Sequence, residues 1–330
     1  MEFTAGARLE IRITPADVGK RVSVRTATGA GPEAATFTDT LGILTSWTDG
    51  VLSVTRRTGV TARLAESALV AGKVVPPTPA RRRGLPAASV EELTRVAVAS
   101  WPAPETERVG GWLLRAGGGW SRRANSAVRL GPGEPELDRV VAWYAARGLP
   151  ARFQLTTGGG TTDERLVAEL DGLGWAADGF TAVRVGALAP LADREPDARV
   201  TVGRELTDAW LAATPSAPRD PAVARRVLGG GPATLFAEVA GGPGEPPAAV
   251  GRCVVDGRWA GLSSVEVAPA HRRRGLATAL MGELARAALG EGASAAWLQV
   301  THDNPAAGAL YDRLGFAEHH HYHYRTAPTP

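Results

Sequence analysis

The chain has 330 residues, 44% hydrophobic and 22% charged, which fits a globular protein of two or three domains better than one core. Its 37 Lys and Arg stand against 34 Asp and Glu, and a net charge of +3 lacks the lopsided balance of a dedicated polyanion binder. The single cysteine, Cys253, excludes an internal disulfide and fits a reducing cytoplasm; MEFTAGARLEIR lacks the apolar region of a signal peptide, and no apolar run approaches the ~20 residues of a membrane helix.

Residues 1–76 read as short strands, with KRVSVR, LGILTSW, GVLSVTRR and VTARL separated by turn signals at Asp49-Gly50 and Thr58-Gly59. The pattern predicts a small antiparallel barrel. Residues 77–89 form a Pro- and Arg-rich linker, in which Arg81, Arg82 and Arg83 are expected to be solvated. Lysine occurs only at Lys20 and Lys73, so arginine is this chain's usual cation and an arginine count is weak evidence of function.

Over residues 90–190 helices and strands alternate. VEELTRVAVASW has helical spacing, GWLLRA and NSAVRL read as strands, and ELDRVVAWYAARG is a helix ending near Gly148. The strand RFQLT, the helix DERLVAELDGLGW and the strand FTAVRV follow, then a second linker over 187–198. A related order recurs over 198–330: RVTVG, the helical LTDAWLAAT, TLFAEVA, and AVGRCVVDGRWAGLSSVEV, which turns at Asp256-Gly257. Next come a helix, the strand AWLQVTH, the helix PAAGALYDRLGF and a terminal strand HHHYHYR. ELDGLGW at 169–175 matches LYDRLGF at 310–316, which points to an internal repeat of one α/β unit. Cys253, within VGRCVV, is expected to be a packed core thiol.

The stretch HRRRGLATAL, His271 to Leu280, lies between a strand stopped by Pro269 and a helix whose Leu276, Leu280 and Leu284 share one face. A helix start offers free N–H groups and a positive dipole to a phosphate. Gly275 lets the backbone approach a ligand closely, and arginines add charge-assisted hydrogen bonds. By itself such a turn is equally a solvated basic helix start.

The wider pattern resembles the GCN5-related N-acetyltransferase (GNAT) family. VEVAPAHRRRGLA is similar to its acyl-CoA motif, a strand with V-x-P and then R/Q-x-x-G-x-G/A, in which Arg272, Gly275 and Ala277 fill the named places. Ala277 stands where glycine is commoner. LQVTHDNPAAGALYDRLGF is similar to the second motif, with Asn304, Tyr311 and the closing Leu314-Gly315-Phe316. The clear match covers residues 198–326, and the whole chain resembles actinobacterial tandem GNAT proteins with an N-terminal SH3-like barrel.

This resemblance implies an α/β chain of the α+β GNAT fold: tandem halves with a mixed, mostly antiparallel sheet flanked by helices, behind an SH3-like β-barrel. It implies acetyl-CoA as cosubstrate, no metal, and direct attack of a neutral amine on the thioester. Arg272, Arg273, Arg274, Gly275, Leu276, Ala277 and Thr278 would cradle the pyrophosphate, with Asn304 as a further contact or a plain N-cap ahead of Pro305. Val265 and Val267 would offer backbone groups to the pantetheine arm, the N–H of Val267 would polarise the carbonyl, and Tyr311 would protonate the thiolate. Glu266 is the nearest candidate base, although alternation sets it on the other strand face from Val265 and Val267; His302, Glu238 and a water chain are the alternatives. Many protein-acetylating relatives have LEV where this chain has LQV, and Gln299 is no base.

The first half has no R-x-x-G-x-A, and Leu170 stands in the place of Tyr311, so it is expected to be inactive and to wall the substrate cleft. SRRANS, Ser121 to Ser126, is placed to touch an acidic substrate in such a cleft, yet a plain surface loop is its expected role. In HHHYHY, alternation would give His319, His321 and His323 one face, yet a sheet strand is the expected role rather than a metal site. The expected acceptor is a small-molecule amine or an amino acid. Protein acetylation, a non-catalytic acyl-CoA sensor and a nucleic-acid binder are the competing readings. Neither a membrane nor a nucleic acid is the expected partner, and the assembly is left between monomer and homodimer.

Overall fold

A computed structural model describes residues 10–28, 36–75, 84–158, 163–214 and 220–328, so Arg81 to Arg83 lie outside the described residues. The N-terminal part contains β1 (Arg21–Thr28), β2 (Thr36–Thr48), β3 (Val51–Arg56), β4 (Thr61–Ala65) and β5 (Leu69–Val74), in the order β4-β3-β2-β1-β5 and antiparallel throughout. Asp49 and Gly50 both have positive φ, 51° and 70°, which makes the β2–β3 hairpin the primed turn that Asp-Gly favours. Ile13, Val22, Val24, Leu44, Leu52 and Val54 form its core. After a one-turn helix, Glu66–Ala68, β5 pairs with β1, and among the described residues no pairing joins β4 to β5. The sheet is therefore antiparallel and five-stranded but open, where a barrel is expected from the sequence.

The next stretch contains α1 (Val90–Ser100), β6 (Glu105–Val109), β7 (Trp112–Ala116), β8 (Ala127–Arg129), α2 (Leu137–Ala145), β9 (Arg152–Thr157), α3 (Glu164–Gly172) and β10 (Ala176–Ala187). The last contains α4 (Ala189–Ala192), β11 (Val200–Gly203), α5 (Asp208–Ala212), α6 (Pro221–Leu228), β12 (Ala233–Val239), β13 (Ala249–Asp256), β14 (Trp259–Val267), α7 (Leu276–Gly290), β15 (Ala295–Thr301), α8 (Pro305–Arg313) and β16 (Ala317–Thr326). The helix starts carry the expected caps: Ser89 accepts from Glu92 N at 3.1 Å, Asp220 from Ala222 N at 2.9 Å, and Asn304 from Ala307 N at 3.1 Å. The matched heptapeptides end their helices alike. Gly174 and Gly315 have φ of 76° and 84°, and Trp175 N and Phe316 N reach back to Leu170 O and Tyr311 O at 2.9 and 3.0 Å.

Both stretches join one eleven-stranded sheet, β11-β12-β13-β14-β15-β10-β16-β9-β8-β7-β6. Only β14–β15 and β8–β9 are parallel, and they mark equivalent places in the repeat. The two final strands are exchanged: β10 lies between β15 and β16, and β16 lies between β10 and β9. On one sheet face α7 buries Leu276, Leu280, Met281, Leu284 and Ala288 with Leu262, Cys253 and Leu298. Cys253 is thus the packed thiol expected, and burial pushes its pKa up to about 12. α4, within the stretch read from the sequence as linker, adds Leu191 and Ala192 to that core. The opposite face is covered by α1 over Trp259, Trp297 and Tyr322, and by α5 and α6 around Trp101 and Trp210.

Candidate active site

β14 and β15 pair at four positions, from Trp259↔Ala295 to Leu262↔Leu298. Beyond Leu262 the two strands separate: β14 stays on β13 as far as Val267, and β15 stays on β10 as far as Thr301. A bulge at Ser264 accompanies the split, because the β13–β14 register slips between Arg252↔Ser263 and Val250↔Glu266, and Ser264 has φ 50°. The extra residue also changes the phase of alternation. Ala260 and Leu262 face α7 before it, and Val265 and Val267 pack against the same core after it. Ala268 donates its N–H to Ala248 O, just ahead of β13, at 2.9 Å, so alternation turns the N–H and C=O of Val265 and Val267 into the fork.

The arginine run closes the end of this fork. Arg272 Nε donates to Val267 O at 3.3 Å, and Arg273 and Gly275 have φ of 63° and 77°. Ala279 is the first residue of α7 whose N–H finds a carbonyl, Gly275 O at 3.0 Å. Among the described residues the N–H groups of Gly275, Leu276, Ala277 and Thr278 find none, as expected at a helix start. The Leu276 side chain is core, so only its backbone is available. Arg272, Arg273 and Arg274 are exposed, and none has an ion pair among the described residues. A neighbouring cavity of about 360 Å³ is lined by Gly275, Thr278 and the segment with Arg194, Glu195, Asp197 and Arg199, so its charge is balanced where the turn's is not.

Tyr311 lies on α8 with its ring 6.1 Å from Phe316. Burial first, then the charge of Glu266, raises the pKa of its hydroxyl, so it stays protonated at neutral pH. Glu266 is half-buried and also held above the usual carboxylate range by burial, with Arg272 opposing. It stands opposite Val250, which packs around Trp101, so its side chain is carried on the face away from α7. Glu238 stands opposite Val250 from the other side, completing a row across three strands. His302 is turned elsewhere: its Nε2 lies 3.1 Å from His321 Nδ1. Arg184 of β10 bonds Asp312 at 2.6 Å and Gly308 O at 3.3 Å, so a strand from the first stretch holds the helix that carries Tyr311.

Comparison with known proteins matches this arrangement. The family model "Probable histone acetyltransferase Rv0428c C-terminal" matches residues 87–325. The chain is 31% identical over 319 residues to Probable histone acetyltransferase Rv0428c of Mycobacterium tuberculosis, covering 94% of this chain and 95% of that protein. The chain belongs to the GCN5-related N-acetyltransferases. It is also 27% identical over 247 residues to Uncharacterized N-acetyltransferase YobR of Bacillus subtilis, covering 72% of this chain and 98% of that protein. The fold matches a GCN5-related N-acetyltransferase from Kribbella flavida with a TM-score of 0.54 at 18% identity, over 73% of this chain and 97% of that one.

Enzymes of the GNAT family use acetyl-CoA, and the residues present fit such a ligand: uncommitted N–H groups, unpaired arginines, and open space around Gly275, where an added Cβ would meet nothing within 4 Å. Asn304 is the N-cap of α8 through its Oδ1. The equivalent fork in the first half is differently furnished. Its last pair is Val128↔Gln154, and the next residue, Arg129, donates to the buried Asp163 at 2.6 Å and to Gly133 O at 2.7 Å. Leu170 is fully buried in that half's core.

Two expectations change. SRRANS is built into the fold: Ala124, Asn125 and Ser126 are buried, because the Asn125 side chain bonds Gly117 N, Gly119 N, Trp120 O and Ser121 O and winds the loop around itself. The histidines do not share a face, because the β10–β16 register skips His319. That residue bonds Ala88 O at 3.0 Å, while His321 faces His302 and His323 stacks on Phe180 at 4.9 Å. Buried strand arginines carry no reading from the sequence, among them Arg115 and Arg252, fully inside and bonded to backbone and side-chain oxygens. Their only sequence signal is an arginine at an inward position of an otherwise apolar strand.

No helix among the described residues is long and apolar enough to cross a membrane.

Proposed function

We propose that this transferase moves the acetyl group of acetyl-CoA to a primary amine of a small molecule or amino acid, through one working site in the β14–β15 fork. The observation that carries the reading is the fork itself, with the Arg272–Thr278 turn at its end and Tyr311 beside it. Acetyl-CoA supplies the activated thioester. Gly275, Leu276, Ala277 and Thr278 hold its phosphates through their N–H groups, Arg272, Arg273 and Arg274 add charge, and the free amide of Asn304 is a further contact. The N–H groups of Val265 and Val267 line the arm, and that of Val267 meets the developing negative charge on the carbonyl oxygen. As the amine nitrogen bonds the carbonyl carbon and the carbon–sulfur bond breaks, Tyr311 gives its proton to the departing sulfur. Glu266 takes the proton from the amine.

In this reading residues 198–330 form the catalytic unit, 90–190 a non-catalytic half that walls the cleft, 77–89 a linker, and 1–76 a small all-β unit. The Arg129–Asp163 pair and Leu170 support an inactive first half. A protein acceptor is the second reading, favoured by the name of the mycobacterial relative. Thiol release from acetyl-CoA, measured over a panel of small amines, amino acids and basic peptides, tests both: turnover of small amines alone supports the first, and turnover of peptides alone supports the second.

A further inference from the structure

We infer that the acceptor amine also carries a carboxylate, and that Arg123 receives it on the face of the fork opposite α7. The inference rests on the transferase reading and names its substrate class.

Arg123 lies close enough to both Arg115 and Arg252 to act on them electrostatically, and no ion pair among the described residues joins any of the three to a carboxylate. Two of the three are held by several neutral oxygens, their Nε–H groups included. Arg115 donates to Ser126 O, Ser126 Oγ and Gln154 Oε1 at 2.8–2.9 Å. Arg252 donates to Leu228 O, Gly230 O and Ser100 O at 2.6–2.9 Å, with a long contact to Ser263 Oγ at 3.4 Å.

Arg123 is different. Its guanidinium lies 4.7 Å above the Trp101 ring with the Tyr322 and Tyr324 hydroxyls in reach, but its enclosed Nε–H has no acceptor and no ion pair reaches it among the described residues. A desolvated cation beside two others is costly without an anion, and an aromatic face offsets only part of that. The side chain is still partly exposed, so a ligand has access. One arginine with an unused donor calls for a single negative charge, and the planar guanidinium matches a carboxylate.

The place is right for the reaction. Tyr322 Oη donates to Gln299 Oε1 at 3.2 Å, and Gln299 is the first β15 residue beyond the last β14–β15 pair. Ser263, the contact of Arg252, is the corresponding residue on β14, and Glu266 is carried on the same face. The loop that presents Arg123 is braced: Trp101 Nε1 donates to Ser121 Oγ at 3.0 Å, Ser121 has φ 55°, and Asn125 ties both ends. A carboxylate at Arg123 would leave an amine a few bonds away at the apex of the fork.

The test compares amino acids with their amidated and decarboxylated partners as acceptors for the full-length enzyme, by acetyl-CoA thiol release. We expect kcat/KM to favour the acids by roughly ten- to a hundredfold. Arg123→Leu should raise KM for the acids by a similar factor with kcat and the neutral amines little changed, and Arg123→Lys should restore part of it. Equal turnover of acids and neutral partners by the wild-type enzyme overturns the inference and leaves the transferase reading intact, whatever the variants do. A phosphorylated amine preferred over every carboxylate overturns the carboxylate assignment. No turnover of any amine removes the transferase reading and the inference with it.

Discussion

Replacing Gly275 with alanine separates the cost of strain from the cost of a lost ligand. Gly275 has φ 77°, a conformation that charges an L-residue about 1–2 kcal/mol. A Cβ there would meet nothing within 4 Å, so no steric penalty is added in the free protein. The folded state should lose only that 1–2 kcal/mol, which for a chain of this size is about 2 °C in melting temperature. In the complex the same methyl group occupies the open space that a phosphate would enter, at the mouth of four uncommitted N–H groups. Losing one charge-assisted hydrogen bond costs about 1.5–3 kcal/mol, or roughly ten- to a hundredfold in affinity. Thermal unfolding of the free protein and calorimetric titration with acetyl-CoA measure the two effects separately. Unchanged acetyl-CoA affinity in a variant that shows the small stability loss would refute the assignment of this turn as the phosphate cradle.

Tyr311→Phe should lower kcat by about 10²–10⁴-fold, the usual worth of a general acid, with acetyl-CoA affinity and melting temperature nearly unchanged because the hydroxyl has no hydrogen-bond partner among the described residues; unchanged kcat would assign the proton to another group. Glu164 is buried and burial pushes its carboxyl up to about 7, against the Gly158 N–H that favours the charged form. Its folded pKa is raised, so its contribution is fully present below the ordinary 4.5 and is lost as pH rises through 7. Glu164→Gln should therefore stabilise the protein at pH 8 by up to about 3 kcal/mol and flatten the slope between pH 5 and 7 by denaturant melts; a less stable variant at pH 8 would contradict this.

What was legible in the sequence is local. Asp49-Gly50 makes its hairpin, Asn304-Pro305 starts α8, and the matched LG-aromatic endings at Gly174 and Gly315 finish their helices in the same way. The turn at Arg272 to Gly275 is equally local, because strand, glycine and helix are consecutive in the chain. What was not legible depends on partners far away in sequence. The exchange of β10 and β16 is decided by edge pairing between two similar halves, and neither strand's own pattern states which neighbour wins. The bulges at Ser264 and His319 reverse which side chains face inward, yet ordinary residues carry them. Arg123 reads as part of a surface loop and Arg252 carries no reading at all, because arginine is common here; only the packing of Trp101 and the strand interior shows where they lie.

The most direct test of a single working fork is a calorimetric titration of acetyl-CoA into the full-length protein, read for stoichiometry. One site per chain, lost on replacing Gly275 with a bulky residue, is the predicted result. Two sites would mean that the first half also binds despite its Arg129–Asp163 pair, and an absence of binding would contradict the fork as an acetyl-CoA site altogether.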